Sequence, residues 1–256
     1  MNMLQEGLRT KQFGKRIVFL HEVGSTNDCA KELAGYDAEE GTVVIAETQT
    51  AGRGRLGREW ISPKGGLYFS VILRPKISAS EAVKLVFVAG LAVAKVLNEV
   101  YELKVETKWP NDVLIKGKKI CGILAETNTI SEKVNYAIIG VGVNANFNVE
   151  KALLKELVKT ATSLEDELGK KIRVEELFKT LMEKLETLYF LLLKEGSAPI
   201  LSEWKKHADF LGKRVEVTIG DKKFSGMAVD VGVDGSLILK QENGSVKLVS
   251  GDLVLI

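Results

Sequence analysis

TVVIAETQTAGRGRLGREWISPKGGLYFSVILRP (42–75) decides which folds the chain can have. TVVIAETQT (42–50) reads as a strand and LYFSVILRP (67–75) as another, strongly apolar one. Between them lies a Gly- and Arg-rich loop, AGRGRLGREWISPKGG (51–66). Gly52-Arg53-Gly54-Arg55-Leu56-Gly57 has the letters of the G-x-G-x-x-G fingerprint. That fingerprint closes a strand and opens a helix, so that the helix N-terminus meets a pyrophosphate. Here Glu59-Trp60-Ile61-Ser62-Pro63 and a second strand follow, and a doubly wound dinucleotide fold is excluded. A P-loop is excluded too, because no Gly-Lys pair precedes Ser or Thr.

The loop itself has an unusual composition. Its glycines alternate with Arg53, Arg55 and Arg58, and Trp60 follows. Glycine lets backbone N–H groups approach an anion closely. Guanidinium forks grip phosphate or carboxylate in bidentate fashion. A Trp face next to them suits a base, with stacking worth about 1–3 kcal/mol. Two readings stand at this point: a site for a nucleotide and its phosphates, or a solvated surface loop with a partly buried Trp.

Outward from the loop, IVFLHEV (17–23) reads as a strand, and STNDCAKELA (25–34) as a helix capped by Ser25 or Thr26. SASEAVKLVFVAGLAVAKVLNEVY (78–101) reads as a largely buried helix capped by Ser78 or Ser80. KVETKWPNDVLI (104–115) runs strand, turn, strand; KGKK (116–119) is a tight turn; ICGILAETN (120–128) returns as a strand. VNYAIIGVGVNANF (134–147) is a further strand that ends in a Gly/Asn loop. Two helices are expected across 150–195. Leu177, Leu181, Leu185, Leu188 and Leu192 fall on one face of the second, which makes that face core. From Gly212 onward, five short strands are joined by Gly-Asp, Asp-Gly and Asn-Gly turns, with alternation at Val215, Val217 and Ile219. That texture predicts a small antiparallel barrel. The expected division is a catalytic domain over residues 1–210 and a C-terminal barrel over 211–256.

Composition sets the outer limits. A chain of 256 residues with 45% apolar side chains has ample surface to bury, so disorder is excluded. Lys and Arg number 36 against 34 Asp and Glu, a balance with no global drive toward nucleic acid or anionic membrane. Two cysteines, Cys29 and Cys121, and two histidines, His21 and His207, give no disulfide framework, zinc motif or His-based dyad. The apolar run Leu85–Ala94 is too short for a bilayer, and the N-terminus lacks a signal-peptide stretch. A cytoplasmic protein is expected.

Two more clusters bear on chemistry. Lys108-Trp109-Pro110-Asn111-Asp112 precedes the Lys-rich turn that ends at Lys119, with Gly122 just beyond. Gly140-Val141-Gly142-Val143-Asn144 puts glycines inside a strand, which marks close approach of a ligand or of another backbone. Taken singly, each is equally well read as packing.

Together these segments closely resemble the biotin–protein ligases. The residues that carry the resemblance are Ser25-Thr26-Asn27, Gln49, GRGRLGREW (52–60), KWPND (108–112), KKICGIL (118–124) and GVGVN (140–144). The likeness extends over residues 7–256. It implies an α+β fold: a class II synthetase-like catalytic domain with a central mixed sheet and helices, plus a C-terminal SH3-like barrel. It implies a two-step reaction, in which biotin and ATP give biotinyl-5′-AMP and pyrophosphate, and a lysine of a biotin carboxyl carrier domain then takes the biotinyl group. ATP is expected to bring Mg2+, for which no ligand residue is assigned. The resemblance places Ser25, Thr26, Asn27 and Gln49 at the biotin ureido end, and Arg53, Gly54 and Arg55 in a loop closing over biotin and adenylate. It sets Arg58 on the ATP phosphates, Trp60 near adenine, and Asn111 and Asn144 among the ATP contacts. Lys119 bridges the biotin carboxylate and the α-phosphate, and Asp112 lies near the phosphates or the incoming amine.

Some members carry an N-terminal winged-helix DNA-binding domain. Only 24 residues precede Ser25, so the resemblance is to the monofunctional class, with no specific DNA binding expected. Members of that class often pair through the central sheet, which leaves a homodimer open. Two rivals are weighed. Lipoate or octanoate ligases share the catalytic fold but carry adjacent arginines and a triple glycine, absent from this chain. A non-enzymatic nucleic-acid-binding module would use the Arg/Gly loop, but lacks a basic stripe to support it.

Overall fold

The computed structural model describes residues 2–256. After a short helix α1 (Asn2–Gln5), seven strands form one mixed sheet: β1 (Ile17–Val23), β2 (Val43–Gln49), β3 (Leu67–Leu73), β4 (Val105–Lys108), β5 (Asp112–Ile115), β6 (Lys118–Ile130) and β7 (Lys133–Val143). Their order is β1-β2-β3-β7-β6-β5-β4. β1 and β2 are parallel and are connected through α2 (Thr26–Gly35); the other neighbours are antiparallel. The α+β class with a central mixed sheet is therefore as expected.

Strand alternation sorts side chains between the two faces. On one face Val43, Ile45, Phe69, Val71, Leu73, Cys121, Ile123, Ile139, Val141 and Val143 join the main core under the long helices. On the other, Val44, Ile72 and Ile138 pack against Ala30 and Ala34 of α2. Continuing that parity, Ser70 of β3, Gly122 and Glu126 of β6, and Gly140 and Gly142 of β7 share the α2 face. Beyond the end of α2 this face opens into a pocket.

The apolar segment 78–101 is not one helix. Ser78 forms a capping box with Glu81 around a single 3₁₀ turn (Ala79–Glu81), and the α-helix proper, α3, runs Lys84–Tyr101. Between 150 and 195, where two helices were expected, there are four: α4 (Val149–Ala152), α5 (Lys155–Val158), α6 (Leu164–Leu168) and α7 (Val174–Glu195). The region divides because Asn148 and Ser163 each cap a new start, and Gly169 ends α6 in the left-handed conformation. An eighth helix, α8 (Ser197–Lys205), follows Gly196 and was not anticipated. The leucine face of α7 is core as read: Leu177, Leu181, Leu185, Leu188 and Leu192 are all buried. Each such side chain contributes about 2 kcal/mol by its burial.

The C-terminal strands are β8 (Arg214–Ile219), β9 (Lys222–Val231), β10 (Leu237–Gln241), β11 (Gly244–Leu248) and β12 (Asp252–Leu255), in the order β11-β10-β9-β8-β12. Five strands were expected and five are present. The barrel is not closed, however: β11 and β12 are the two edges of an antiparallel sheet and do not pair with each other. Val215, Val217, Ala228, Val231, Leu237 and Leu239 face inward and are continuous with the main core. The junction is fastened by Trp109 Nε1, which donates to Gly235 O at 3.0 Å, and by Ser197 Oγ, which donates to Val233 O at 2.9 Å.

Candidate active site

A cavity of about 410 Å³ opens on the α2 face of the sheet, a volume that suits a small molecule. Its lining includes Ser25, Thr26, Asn27, Gln49, Arg53, Gly54, Arg55, Arg58, Trp60, Asn111, Asp112, Lys119 and Asn144. Every site residue expected from the sequence thus lies in one pocket wall, although the residues come from segments more than a hundred positions apart.

The floor consists of glycines because the pleat puts them there. Gly122 of β6 pairs with Gly142 of β7, and Gly140 pairs with both Ser70 and Leu124. A Cβ on Gly142 would sit 2.5 Å from Trp60 Nε1, and one on Gly122 2.9 Å from Trp60 Cζ3. A Cβ on Gly140 would sit 2.2 Å from Asn27 Oδ1. Trp60 and Asn27 therefore lie directly on the sheet, where no other residue type leaves room.

The Arg/Gly loop is a small hydrogen-bonded hairpin whose tip, Leu56 to Glu59, is exposed. Trp60 N donates to Gly52 O at 2.9 Å, and Gly54 N to Arg58 O at 2.7 Å. The tip carries Leu56 at φ 57° and Gly57 at φ 73°. Its three arginines have different partners. Arg53 forms two 2.5 Å hydrogen bonds to the Asp28 carboxylate on α2. Arg58 clasps Asp252 of β12 with both Nη atoms. Arg55, between them, reaches Asn111 Oδ1 at 3.4 Å and Gly251 O at 3.3 Å, and burial lowers its pKa. The Asp28 and Asp252 carboxyls are held below the usual carboxylate range by the hydrogen bonds from Arg53 and Arg58.

Lys119, the second residue of β6, has its side chain over the floor. Its Nζ is 2.6 Å from Asp112 Oδ1 and 5.3 Å from the Trp60 ring centroid. Asn111 Nδ2 donates to Ile123 O at 2.7 Å and fixes the turn behind this pair. Trp60 thus spans the middle of the cavity beside Lys119. Asn144 is buried, and its Nδ2 donates to Thr162 O at 2.9 Å, so it braces the wall under the segment after α5.

The end of the cavity by α2 is neutral and polar. Ser25 occupies the N-cap position of α2 but makes no side-chain cap. The cap is supplied by Gln49, whose Oε1 accepts from Thr26 N at 2.9 Å while its Nε2 donates to Ser62 Oγ at 2.8 Å. The opposite end is partly apolar, lined by Leu153, Leu157 and Ala161 from the α4–α5 segment.

Several site residues were not found from sequence: Asp28, Ser62, Ser70, Glu126, Leu153, Leu157 and Asp252. Ser70 was recoverable from period-two alternation in LYFSVIL once Gly140 was set on the site face. Asp252 was not, since only tertiary docking of β12 brings it to Arg58. Among the described residues no group of three or more His, Cys, Asp or Glu side chains is placed to hold a metal ion. None of their helices is long and apolar enough to cross a membrane.

This combination of a mixed sheet, a glycine floor and an arginine hairpin has clear parallels among known proteins. The model of the Biotin/lipoate A/B protein ligase family matches residues 20–144, and that of the Biotin protein ligase C terminal domain matches 210–255. The bifunctional ligase/repressor BirA of Bacillus subtilis is 35% identical over 250 residues, 97% of this chain and 77% of that protein. The biotin–[acetyl-CoA-carboxylase] ligase of Paracoccus denitrificans is 32% identical over 203 residues, covering 78% and 85%. The structure of the biotin protein ligase from Aquifex aeolicus in complex with biotin and ATP superimposes with a TM-score of 0.81 at 31% identity, over 94% of this chain and 99% of that one. The chain belongs to the biotin protein ligase family.

Proposed function

We propose that the protein is an ATP-dependent biotin–protein ligase that activates biotin as biotinyl-5′-AMP and passes it to a lysine of a biotin carboxyl carrier domain, as in acetyl-CoA carboxylase. The observation that carries this reading is the gradient along one cavity. A neutral polar end of Thr26, Asn27 and Gln49 suits a cyclic urea. A cationic middle of Arg53, Arg55, Arg58 and Lys119 suits a carboxylate meeting a triphosphate. An end lined by Leu153, Leu157 and Ala161 suits a purine.

In the first step a biotin carboxylate oxygen attacks the α-phosphorus and pyrophosphate leaves. Both reactants are anions, so the barrier falls where positive charge meets the developing charge. Lys119 is assigned the bridge between carboxylate and α-phosphate, and Arg55 and Arg58 the polyphosphate. Arg53 and Gly54, in the hairpin over the cavity, keep water from the mixed anhydride. In the second step the acceptor amine attacks the carbonyl carbon, AMP leaves and the amine loses a proton. Asp112 is assigned to the neighbourhood of that amine, Trp60 and Asn111 to the adenylate, and Ser25 to the biotin end. Mg2+ would accompany ATP, bound chiefly by phosphate and water; Asp112 would be the pocket carboxylate placed to complete its shell, since both oxygens of Asp252 are held by Arg58.

The proposal includes a division into a catalytic part, 1–210, and a C-terminal part, 211–256, with no specific DNA binding. It is tested by biotin-dependent exchange of labelled pyrophosphate into ATP, with lipoate and octanoate in parallel. Exchange with biotin alone is expected. Exchange with lipoate or octanoate instead would keep the fold and overturn the substrate.

A further inference from the structure

Behind the polar end of the cavity runs a chain of hydrogen bonds whose proton count does not close. Asn27 Nδ2 donates to Glu126 Oε2 at 2.6 Å. Asn27 Oδ1 is 2.6 Å from Ser70 Oγ, Ser70 Oγ is 2.8 Å from Thr26 Oγ1, and Thr26 Oγ1 is 3.1 Å from Gln49 Oε1. The two ends of this row are fixed as acceptors. Gln49 Oε1 already takes the Thr26 backbone N–H. Asn27 must turn its NH2 toward Glu126, because a carboxylate only accepts. The Ser70 hydroxyl then gives its proton to Asn27, and the Thr26 hydroxyl gives its proton to Gln49. No proton remains for the Ser70–Thr26 contact, although Thr26, Asn27 and Ser70 are all buried. Thr26 is also one of the residues that line the cavity.

We propose that Glu126, which does not line the cavity, is a positioning residue for biotin: it holds the Asn27 amide with its carbonyl inward and so keeps the pocket end short of one donor, which a ureido N–H supplies. This rests on the biotin reading above. Lys31, on α2, pairs with the other Glu126 oxygen and completes the support. Without the carboxylate, Asn27 turns over and its NH2 donates to Ser70. Ser70 then donates to Thr26 and Thr26 to Gln49, and the row is satisfied with no ligand. Thioether, dithiolane and alkyl groups bring no N–H to such a site, so the same device favours a cyclic urea over lipoyl or octanoyl chains.

The test is a polarity swap. In Glu126→Gln, the Lys31 ammonium takes the amide carbonyl, and the Gln NH2 turns toward Asn27 and forces it over. Biotin affinity, measured by titration calorimetry without ATP, is expected to fall about tenfold or more. In pyrophosphate exchange the biotin KM rises to match, while kcat at saturating biotin and the KM for ATP stay within about twofold, since the energy at stake is about one hydrogen bond of ground-state binding. Asn27→Asp alone sets two carboxylates face to face and gives a similar loss from the other side. The double variant Glu126→Gln/Asn27→Asp restores an inward acceptor with the original net charge, and it is expected to recover biotin affinity to within about threefold of the wild type. Unchanged affinity in Glu126→Gln, or a double variant no better than either single one, would overturn the inference while wild-type binding upheld the biotin reading. Wild-type protein that binds no biotin would instead sink that reading, and this inference with it.

Discussion

Arg58 and Asp252, 194 positions apart, are joined by a two-pronged ion pair, with Arg58 Nη1 2.8 Å from Asp252 Oδ1. One residue belongs to the arginine hairpin and the other begins β12, so the C-terminal sheet fixes one side of the loop that covers the cavity. Arg55 adds a bond to the neighbouring Gly251 O. The C-terminal part of the chain is thus a structural partner of the site, although it carries no cation in its last residues, GDLVLI.

If that clasp positions the hairpin, Asp252→Asn is expected to raise the KM for ATP several-fold, about the effect of losing one charge-assisted hydrogen bond. Arg58→Ala, which also removes the side chain proposed for the polyphosphate, is expected to raise it further. Biotin affinity in the absence of ATP stays unchanged in both, because the ureido end lies across the cavity from β12. Steady-state kinetics with each substrate varied in turn, alongside calorimetry, separates the two effects.

The same pairs set an acid limit. The Asp28 and Asp252 carboxyls titrate below their unfolded value of about 3.9. A depressed carboxyl contributes its full stabilisation above the unfolded pKa and loses it as pH falls toward the folded pKa. The difference in Tm between wild type and Asp28→Asn or Asp252→Asn is therefore expected to be constant between pH 5 and 8. It should shrink below about pH 4. A gap that shrank between pH 6 and 8 would point to some other group.

Lys119 lies against the glycine floor, its Nζ 3.3 Å from where a Cβ on Gly122 would sit, and its Asp112 partner is mostly buried. Lys119→Ala is expected to lower the rate of adenylate formation by about 10²–10³, the usual effect of removing one charge stabiliser. Lys119→Arg keeps the charge but not the reach, and should recover only part of the rate. Single-turnover formation of biotinyl-5′-AMP reads this directly. A wild-type rate in Lys119→Ala would remove the bridge assigned to it.

What the sequence made legible depended on the range of the interaction. β1 was read to the residue because IVFLHEV is an isolated apolar run. The core face of α7 was read because Leu177 through Leu192 keep helical spacing over 22 residues of helix. The four pieces between 149 and 195 were less legible, because their boundaries depend on caps at Asn148 and Ser163 inside a stretch of otherwise helix-compatible residues. The open edge between β11 and β12 was not legible at all: turn chemistry specifies hairpins but not closure between first and last strands. Residues in dense local motifs, such as Arg53, Arg55 and Lys119, were read as candidates and line the cavity. Those brought to it or behind it only by tertiary contact, such as Asp252 and Glu126, were not.

The glycine floor gives the sharpest steric test. Gly140 and Gly142 are ordinary in backbone conformation, so alanine at either position meets no φ penalty and acts through its Cβ alone. At 142 that Cβ would meet the Trp60 indole at 2.5 Å, and at 140 the Asn27 amide at 2.2 Å, both well inside contact distance. In each case the side chain must lift off the sheet into the cavity. Gly140→Ala is therefore expected to weaken biotin binding by about tenfold or more, as it displaces the amide that orders the polar end. Gly142→Ala should act mainly on the cationic middle, because Trp60 carries Lys119 with it, and should lower adenylate formation more than biotin affinity. An overpacked site costs about 1–3 kcal/mol, small enough for both variants to stay folded. If Gly142→Ala and Gly140→Ala lost the same function to the same degree, the division of the cavity into a ureido end and a reacting middle would be wrong.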